Sequence, residues 1–214
     1  MPRTKLKTDP YKSHVKQYDE WFEKNRPVYE AELSAIRMFM PDTSNSLEIG
    51  VGTGRFAVPL GIAIGLEPAE QMRTIARKRN LTIVGGVAEY LPFKNSSFDL
   101  ILMVTTVCFL NDIGEAFMEC SRVLCKPGRI IIGMLDRGSQ PGHTYAKRKQ
   151  GNLFYKHATF RSVDEILKIL KQTGFDNFRF SQAIFSEISE VSGKEPVRTG
   201  YGDGLFAVIC GEKK

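Results

Sequence analysis

The sequence predicts an α/β fold: a doubly wound, mostly parallel sheet with helices on both faces. Two observations predict it. A short apolar strand runs straight into a glycine loop, Gly50-Val51-Gly52-Thr53-Gly54. Five short apolar runs, at residues 46–49, 63–66, 81–84, 100–104 and 129–135, alternate with segments of helical periodicity. Runs buried on both faces mark parallel strands between helix layers.

Each element follows in order. Residues 1–13 are polar and read as a mobile arm. Residues 14–24 and 27–40 read as helices. Pro27 suits a helix start, and Leu33, Ile36, Arg37 and Met40 keep helical spacing with one polar interruption. Residues 41–45 form a turn, and the first strand then leads into the glycine loop. Only ten residues separate Gly54 from Gly65, so the helix between them must be very short. Residues 69–79 and 113–124 read as helices, the second stopped by Lys126-Pro127-Gly128. Residues 162–173 form a further helix, with Ser162 as cap, Glu165 three residues on and Gly174 as stop. Residues 178–184 and 205–210 read as a closing pair of strands. The segments 137–160 and 186–204 are polar and irregular, which in a compact domain means binding loops or disorder. No repeat or linker divides the 214 residues, a length that suits one domain with a sizeable core. Within that domain we distinguish an N-terminal helical cap (1–45), a cofactor-binding half (46–136) and a substrate-side half (137–214).

The glycine loop carries the chemistry. Glycine lets backbone pass under a ligand with no Cβ in the way. The next strand ends in Gly65-Leu66-Glu67-Pro68, which places an acid where it would accept hydrogen bonds from ribose hydroxyls. Together they describe a nucleoside crevice at the carboxyl ends of parallel strands. A dinucleotide fingerprint needs a third glycine at position 55, and position 55 is Arg.

G-x-G-x-G with a preceding acid, here Glu48-Ile49-Gly50-Val51-Gly52-Thr53-Gly54, resembles the first motif of class I S-adenosylmethionine-dependent methyltransferases. Glu89-Tyr90-Leu91-Pro92-Phe93, then Ser97-Phe98-Asp99, and Arg122-Val123-Leu124-Cys125-Lys126-Pro127-Gly128 resemble further motifs of the type 11 family, in its order. The resemblance runs from residue 47 to about 136. It implies a Rossmann-like, seven-stranded sheet with the last strand antiparallel, and S-adenosylmethionine as cofactor. It also implies cofactor contacts at Glu48, Gly50, Gly52, Gly54, Glu67, Pro68, Ala88, Glu89, Val104 and Thr105. Many relatives carry Asp where this chain has Val87, so adenine recognition must rest on a backbone carbonyl, Glu89 or water. The Asn-Pro-Pro-Tyr-like motif of nucleic-acid amino-methyltransferases is absent after residue 104. Thr105 and Thr106 could equally be plain strand residues.

Methyl transfer from a sulfonium can work mainly by positioning, so a missing catalytic triad is no objection, and no catalytic residue is assigned. Acceptor-side candidates are Tyr18 and Trp21, as packing aromatics or as a lid, and Arg137, His143 and Tyr145 on the segment after the fifth strand. With the basic run Lys147-Arg148-Lys149 and Tyr155 nearby, the expected pocket is small, aromatic-rimmed and mildly positive, suited to an anionic metabolite. The net charge of +6 is dispersed, which disfavours a nucleic-acid partner. Three scattered histidines and four cysteines without C-x-x-C spacing argue against a metal. The cysteines read as buried free thiols. No apolar run nears the ~18 residues of a membrane span, and the start lacks a signal-peptide core, so a cytoplasmic chain is expected. The expected activity is S-adenosylmethionine-dependent methylation of a small molecule. The alternatives are a non-catalytic binder of S-adenosylmethionine or S-adenosylhomocysteine, and an RNA methyltransferase.

Overall fold

The five apolar runs form one side of a single sheet in the computed structural model, which describes residues 9–42 and 45–214. These strands are β1 (Ser46–Ile49), β2 (Ile64–Leu66), β3 (Thr82–Val84), β4 (Phe98–Val104) and β5 (Leu124–Leu135), all parallel to one another. Three more strands follow: β6 (Phe175–Ala183), β7 (Arg198–Thr199) and β8 (Phe206–Lys213). The order is β3-β2-β1-β4-β5-β8-β6-β7, with β8 antiparallel to both β5 and β6. The sheet therefore has eight strands, not the expected seven. The addition is the two-residue β7, which pairs at the edge through Ser181 with Thr199 and Gln182 with Arg198. So short a strand leaves no hydrophobic period to read.

Side chains alternate across the sheet. Leu100, Leu102 and Val104 of β4 pack on one face with α3 (Arg26–Arg37), while Ile101 and Met103 pack on the other with α5 (Ile113–Val123) and α7 (Val163–Gln172). Phe117, Phe175 and Phe206 are fully buried, each worth about 1.5–3 kcal/mol relative to exposure. Helix α7 has the anticipated capping box: Ser162 Oγ accepts from the Glu165 amide at 3.3 Å, and Glu165 returns a carboxylate to the Ser162 amide at 2.6 Å. After the glycine loop there is only a 3-10 turn, Val58–Leu60, as the short spacing required.

Three further expectations are corrected. Residues 9–13, read as part of a mobile arm, form the helix α1 (Asp9–Ser13), followed by α2 (Val15–Lys24). Residues 1–8 lie outside the described residues, as do Thr43 and Ser44 of the expected turn. The segment 137–160, read as irregular, contains α6 (Gln140–Arg148). Its signal is capping, not periodicity: Ser139 Oγ accepts from the Gly142 amide at 3.1 Å, and Pro141 occupies the first turn. Strand β5 also begins earlier than expected, directly after α5, so Lys126-Pro127-Gly128 lies inside it.

Candidate active site

Strand order reverses at β1 and β4, and a crevice of about 110 Å³ opens at their carboxyl ends, where open α/β sheets place ligands. The glycine loop forms its floor. Gly50 has a φ of +73° and a Cβ there would run into the Thr106 side chain. Gly52 has a φ of +55°, and its missing Cβ would lie 3.2 Å from the Tyr18 hydroxyl. Glu67 stands opposite, 6% exposed. Its Oε2 accepts from the Gly52 amide at 3.1 Å and its Oε1 from the Ala69 amide at 2.8 Å. Arg73, on α4 (Glu70–Lys78), donates to the Glu67 and Pro68 carbonyls and fixes the turn. Burial raises the Glu67 pKa, while the two amides and Arg73 pull against it. Leu66, Val87, Ala88 and Leu110 supply apolar walls. Glu89 is tied by Oε1 to the Asn111 amide at 2.9 Å, which holds the loop after β4 against the crevice.

Beyond Thr105 lies a second, smaller cavity of about 60 Å³. Thr105 has a φ of +49°, rare for a β-branched residue. That backbone turn puts it in the wall of both spaces, together with Tyr11 and Tyr18. Trp21, Phe22, Phe56, Tyr145, Phe154 and Tyr155 line most of the rest. Tyr11 packs edge-on against Tyr18 and Phe109, and Tyr18 against Phe154. The N-terminal helices and the segment after β5 thus meet in an aromatic roof over the sheet's carboxyl edge. A wider groove of about 520 Å³ leads outward past Trp21, Tyr145, Asn152 and Ile188.

An ion network latches this roof to the glycine loop. Asp19 of α2 accepts from Arg55 Nε at 2.9 Å and Nη2 at 2.7 Å, from Arg79 Nη2 at 2.8 Å and from Thr53 Oγ1 at 2.8 Å. Burial alone would raise the Asp19 pKa, but these donors hold it well below the usual carboxylate range. Arg55 occupies the place where a dinucleotide fold would have glycine.

Residues 47–132 match the type 11 family described as a methyltransferase domain. A solved structure from Thermotoga maritima is 46% identical, has a TM-score of 0.93 and covers 97% of this chain and 100% of its own. It is described as a SAM-dependent methyltransferase and possible histamine N-methyltransferase. An uncharacterized protein of Methanocaldococcus jannaschii is 41% identical over 203 residues, 95% of this chain and 98% of the relative. A malonyl-[acyl-carrier protein] O-methyltransferase of Methylococcus capsulatus is 30% identical over 166 residues, 71% of this chain and 60% of the relative. The chain belongs to the type 11 class I S-adenosylmethionine-dependent methyltransferases. Its cofactor is S-adenosylmethionine.

Within this methyltransferase fold, eight of the ten residues implied as cofactor contacts line the crevice: Gly50, Gly52, Glu67, Pro68, Ala88, Glu89, Val104 and Thr105. Glu48 and Gly54 do not. Glu48 is 1% exposed beneath the loop, where burial pushes its carboxyl far up against one hydrogen bond from the Ala57 amide. Gly54 faces α4 and β3, where a Cβ would come within 2.5 Å of Leu81 Cδ1. On the acceptor side, Tyr18, Trp21 and Tyr145 line the second cavity, but Arg137 and His143 do not. Arg137 is exposed and paired with Glu165 at 2.8 Å, and His143 is exposed on α6. The expected positive pocket is also corrected. Arg148 pairs with Glu187 at 2.6 Å and Lys149 donates to the Ala158 carbonyl at 2.6 Å, so both line the outer groove, already engaged, and not the cavity. The charged group inside it is an acid, Glu32. Sequence reasoning missed Tyr11, Glu32, Phe109 and Asn111. For Glu32 the signal was an acid on the apolar stripe of α3, four residues from both Val28 and Ile36.

Among the described residues no group of His, Cys, Asp and Glu has the arrangement to hold a metal. No described helix is long and apolar enough to cross a membrane.

Proposed function

We propose that this protein transfers the methyl group of S-adenosylmethionine to a small molecule held in the aromatic cavity beyond Thr105. The observation that carries this reading is the wall of Thr105, Tyr11 and Tyr18 shared by the crevice and a cavity roofed by aromatics. Glu67 would accept from the ribose hydroxyls, with Gly50 and Gly52 beneath the nucleoside and Leu66, Val87 and Ala88 beside the adenine. Bound there, the cofactor supplies a methyl group already activated by its sulfonium. The protein's own work is positioning, exclusion of water by the roof, and attraction of the cation by aromatic faces and acids. The description of the Thermotoga relative, which names an amine, supports a small acceptor.

A nucleic-acid substrate fits poorly, because neither the crevice nor the cavity has a Lys, Arg or His in its lining. Calorimetric titration with S-adenosylhomocysteine tests the site. Gly52→Val, which combines a strained φ with a side chain directed at Tyr18, should abolish binding in a folded protein. Unchanged affinity would sink the assignment. Transfer-RNA and duplex-DNA binding should be weak and vanish at moderate salt. Tight binding that survives salt, with methyl incorporation into RNA, would overturn the small-molecule reading.

A further inference from the structure

Glu32 is the feature that the site so far leaves without a task. It is 5% exposed, on the buried stripe of α3 with Val28, Ala35 and Ile36. Its carboxyl lines the aromatic cavity and makes no hydrogen bond or ion pair with any described residue. The titratable groups facing it there are Tyr11 of α1, Tyr18 of α2, Tyr145 of α6, and Tyr155. No cation lines the cavity. A buried, unpartnered carboxyl is unfavourable, and leucine would fill the same stripe without that penalty. The missing partner is therefore to be sought in what enters the cavity.

We propose that Glu32 recognises the methyl acceptor, and that the acceptor is a small primary or secondary amine whose nitrogen sits at the Glu32 carboxyl. The proposal rests on the reading of crevice and cavity as one methyl-transfer site. A carboxylate among tyrosine and tryptophan faces is the environment that an ammonium prefers, by charge pairing and by cation–π attraction. It repels a carboxylate or phosphate acceptor. The cavity has room for the amine end, and the remainder of the molecule would extend into the groove past Trp21, Tyr145, Asn152 and Ile188.

An ammonium nitrogen has no free electron pair, so it must lose a proton to react. Burial pushes Glu32 up to about 8, which suits it to exchange a proton with an amine near neutral pH. As the N–CH3 bond forms and the S–CH3 bond breaks with its electron pair left on sulfur, the positive charge passes to nitrogen. The substrate ammonium has given one proton to the Glu32 carboxylate before this transfer, so the product leaves as the methylated ammonium and Glu32 returns its proton to solvent.

The test uses the full chain, wild type and Glu32→Gln. S-adenosylhomocysteine is titrated first, and both proteins should bind it within twofold of each other. The saturated complexes are then titrated with 2-phenylethylamine and histamine, and with the isosteres 2-phenylethanol and 3-phenylpropanoate. The amines should bind the wild type at least tenfold more tightly than either isostere, and Glu32→Gln should lose at least tenfold for amines alone. Amine affinity of the wild type should change with pH around 8, and that of the variant should lack this component. Methyl transfer to an amine should fall with its binding. If S-adenosylhomocysteine binds and neither amine does, the proposal fails while the methyltransferase reading stands. It fails equally if an isostere binds as well as the amines, or if Glu32→Gln binds amines within twofold of wild type. The isostere comparison needs only wild-type protein, so it decides even if the variant misfolds. No binding of S-adenosylhomocysteine by the wild type would instead remove the proposed function beneath it.

Discussion

Replacing Glu67 by Gln isolates the ribose contact from the rest of the site. The side chain is 6% exposed, and each carboxylate oxygen already accepts one backbone amide, from Gly52 at 3.1 Å and Ala69 at 2.8 Å. Gln keeps the shape but puts an NH2 group where one oxygen was, facing a backbone donor. The ribose diol loses one acceptor and the charge on the other. A hydrogen bond to a charged group contributes about 1.5–3 kcal/mol. At about 1.4 kcal/mol per tenfold, S-adenosylhomocysteine affinity should fall roughly ten- to a hundredfold. Calorimetric titration near pH 7.5 measures this, with a melting curve to show that the variant is folded. The wild type adds a pH signature. Burial raises the Glu67 pKa, and binding needs the ionised form. Affinity should therefore be full above that raised value and fall as pH drops through it, and Glu67→Gln should lack the fall. A change below twofold in a folded variant would refute the ribose assignment.

Three further predictions address the frame around the site. Asp19→Asn breaks charge-assisted bonds with Arg55 and Arg79 and should destabilise by roughly 2–3 kcal/mol in urea unfolding; because Asp19's pKa is lowered on folding, the wild-type advantage should be present above pH ~4 and vanish as pH falls through the depressed value. An unchanged midpoint at pH 7 would show that the latch contributes nothing. Gly54→Ala forces a Cβ onto a φ of +87° and against Leu81, so it should cost about 1–3 kcal/mol of stability while S-adenosylhomocysteine affinity stays within threefold; lost affinity with unchanged stability would reverse the structural role given to Gly54. Glu32→Gln should be more stable than wild type above pH 8 and lose that advantage below pH ~4.5, because the raised Glu32 pKa gives stability at low pH that disappears as pH rises through about 8. A difference that does not vary with pH, measured by melting across the range, would contradict this.

The parts of the site built on strand ends were legible in the sequence. Apolar runs, a glycine loop and an acid after β2 carry their own periodicity and spacing, so Gly50, Gly52 and Glu67 could be placed in one crevice beforehand. The roof was not legible, for physical reasons. Helix α1 is five residues long, too short to show an amphipathic period, so Tyr11 reads from the sequence as part of a mobile arm. Helix α6 depends on the Ser139 cap and carries few apolar residues, so it looked like loop. Glu32, an acid on the apolar stripe of α3, escapes a reading of the sequence because its meaning lies in what surrounds it in space. The basic run 147–149 misled in the opposite direction: sequence shows the charges but not that Glu187 and a backbone carbonyl engage two of them.

Tyr11 and Tyr18 close both the nucleoside crevice and the acceptor cavity. One pair of side chains thus borders both spaces. If these two tyrosines must move for S-adenosylhomocysteine to leave, the second cavity loses part of its wall at the same moment. Exchange of both would share a single opening event, governed by how often α2 lets go of Arg55 and Arg79. Turnover limited in that way would vary little with the basicity of the acceptor, since the slow event precedes and follows the chemistry. Loosening the Asp19 latch would then speed steady-state turnover even as it weakens the resting fold.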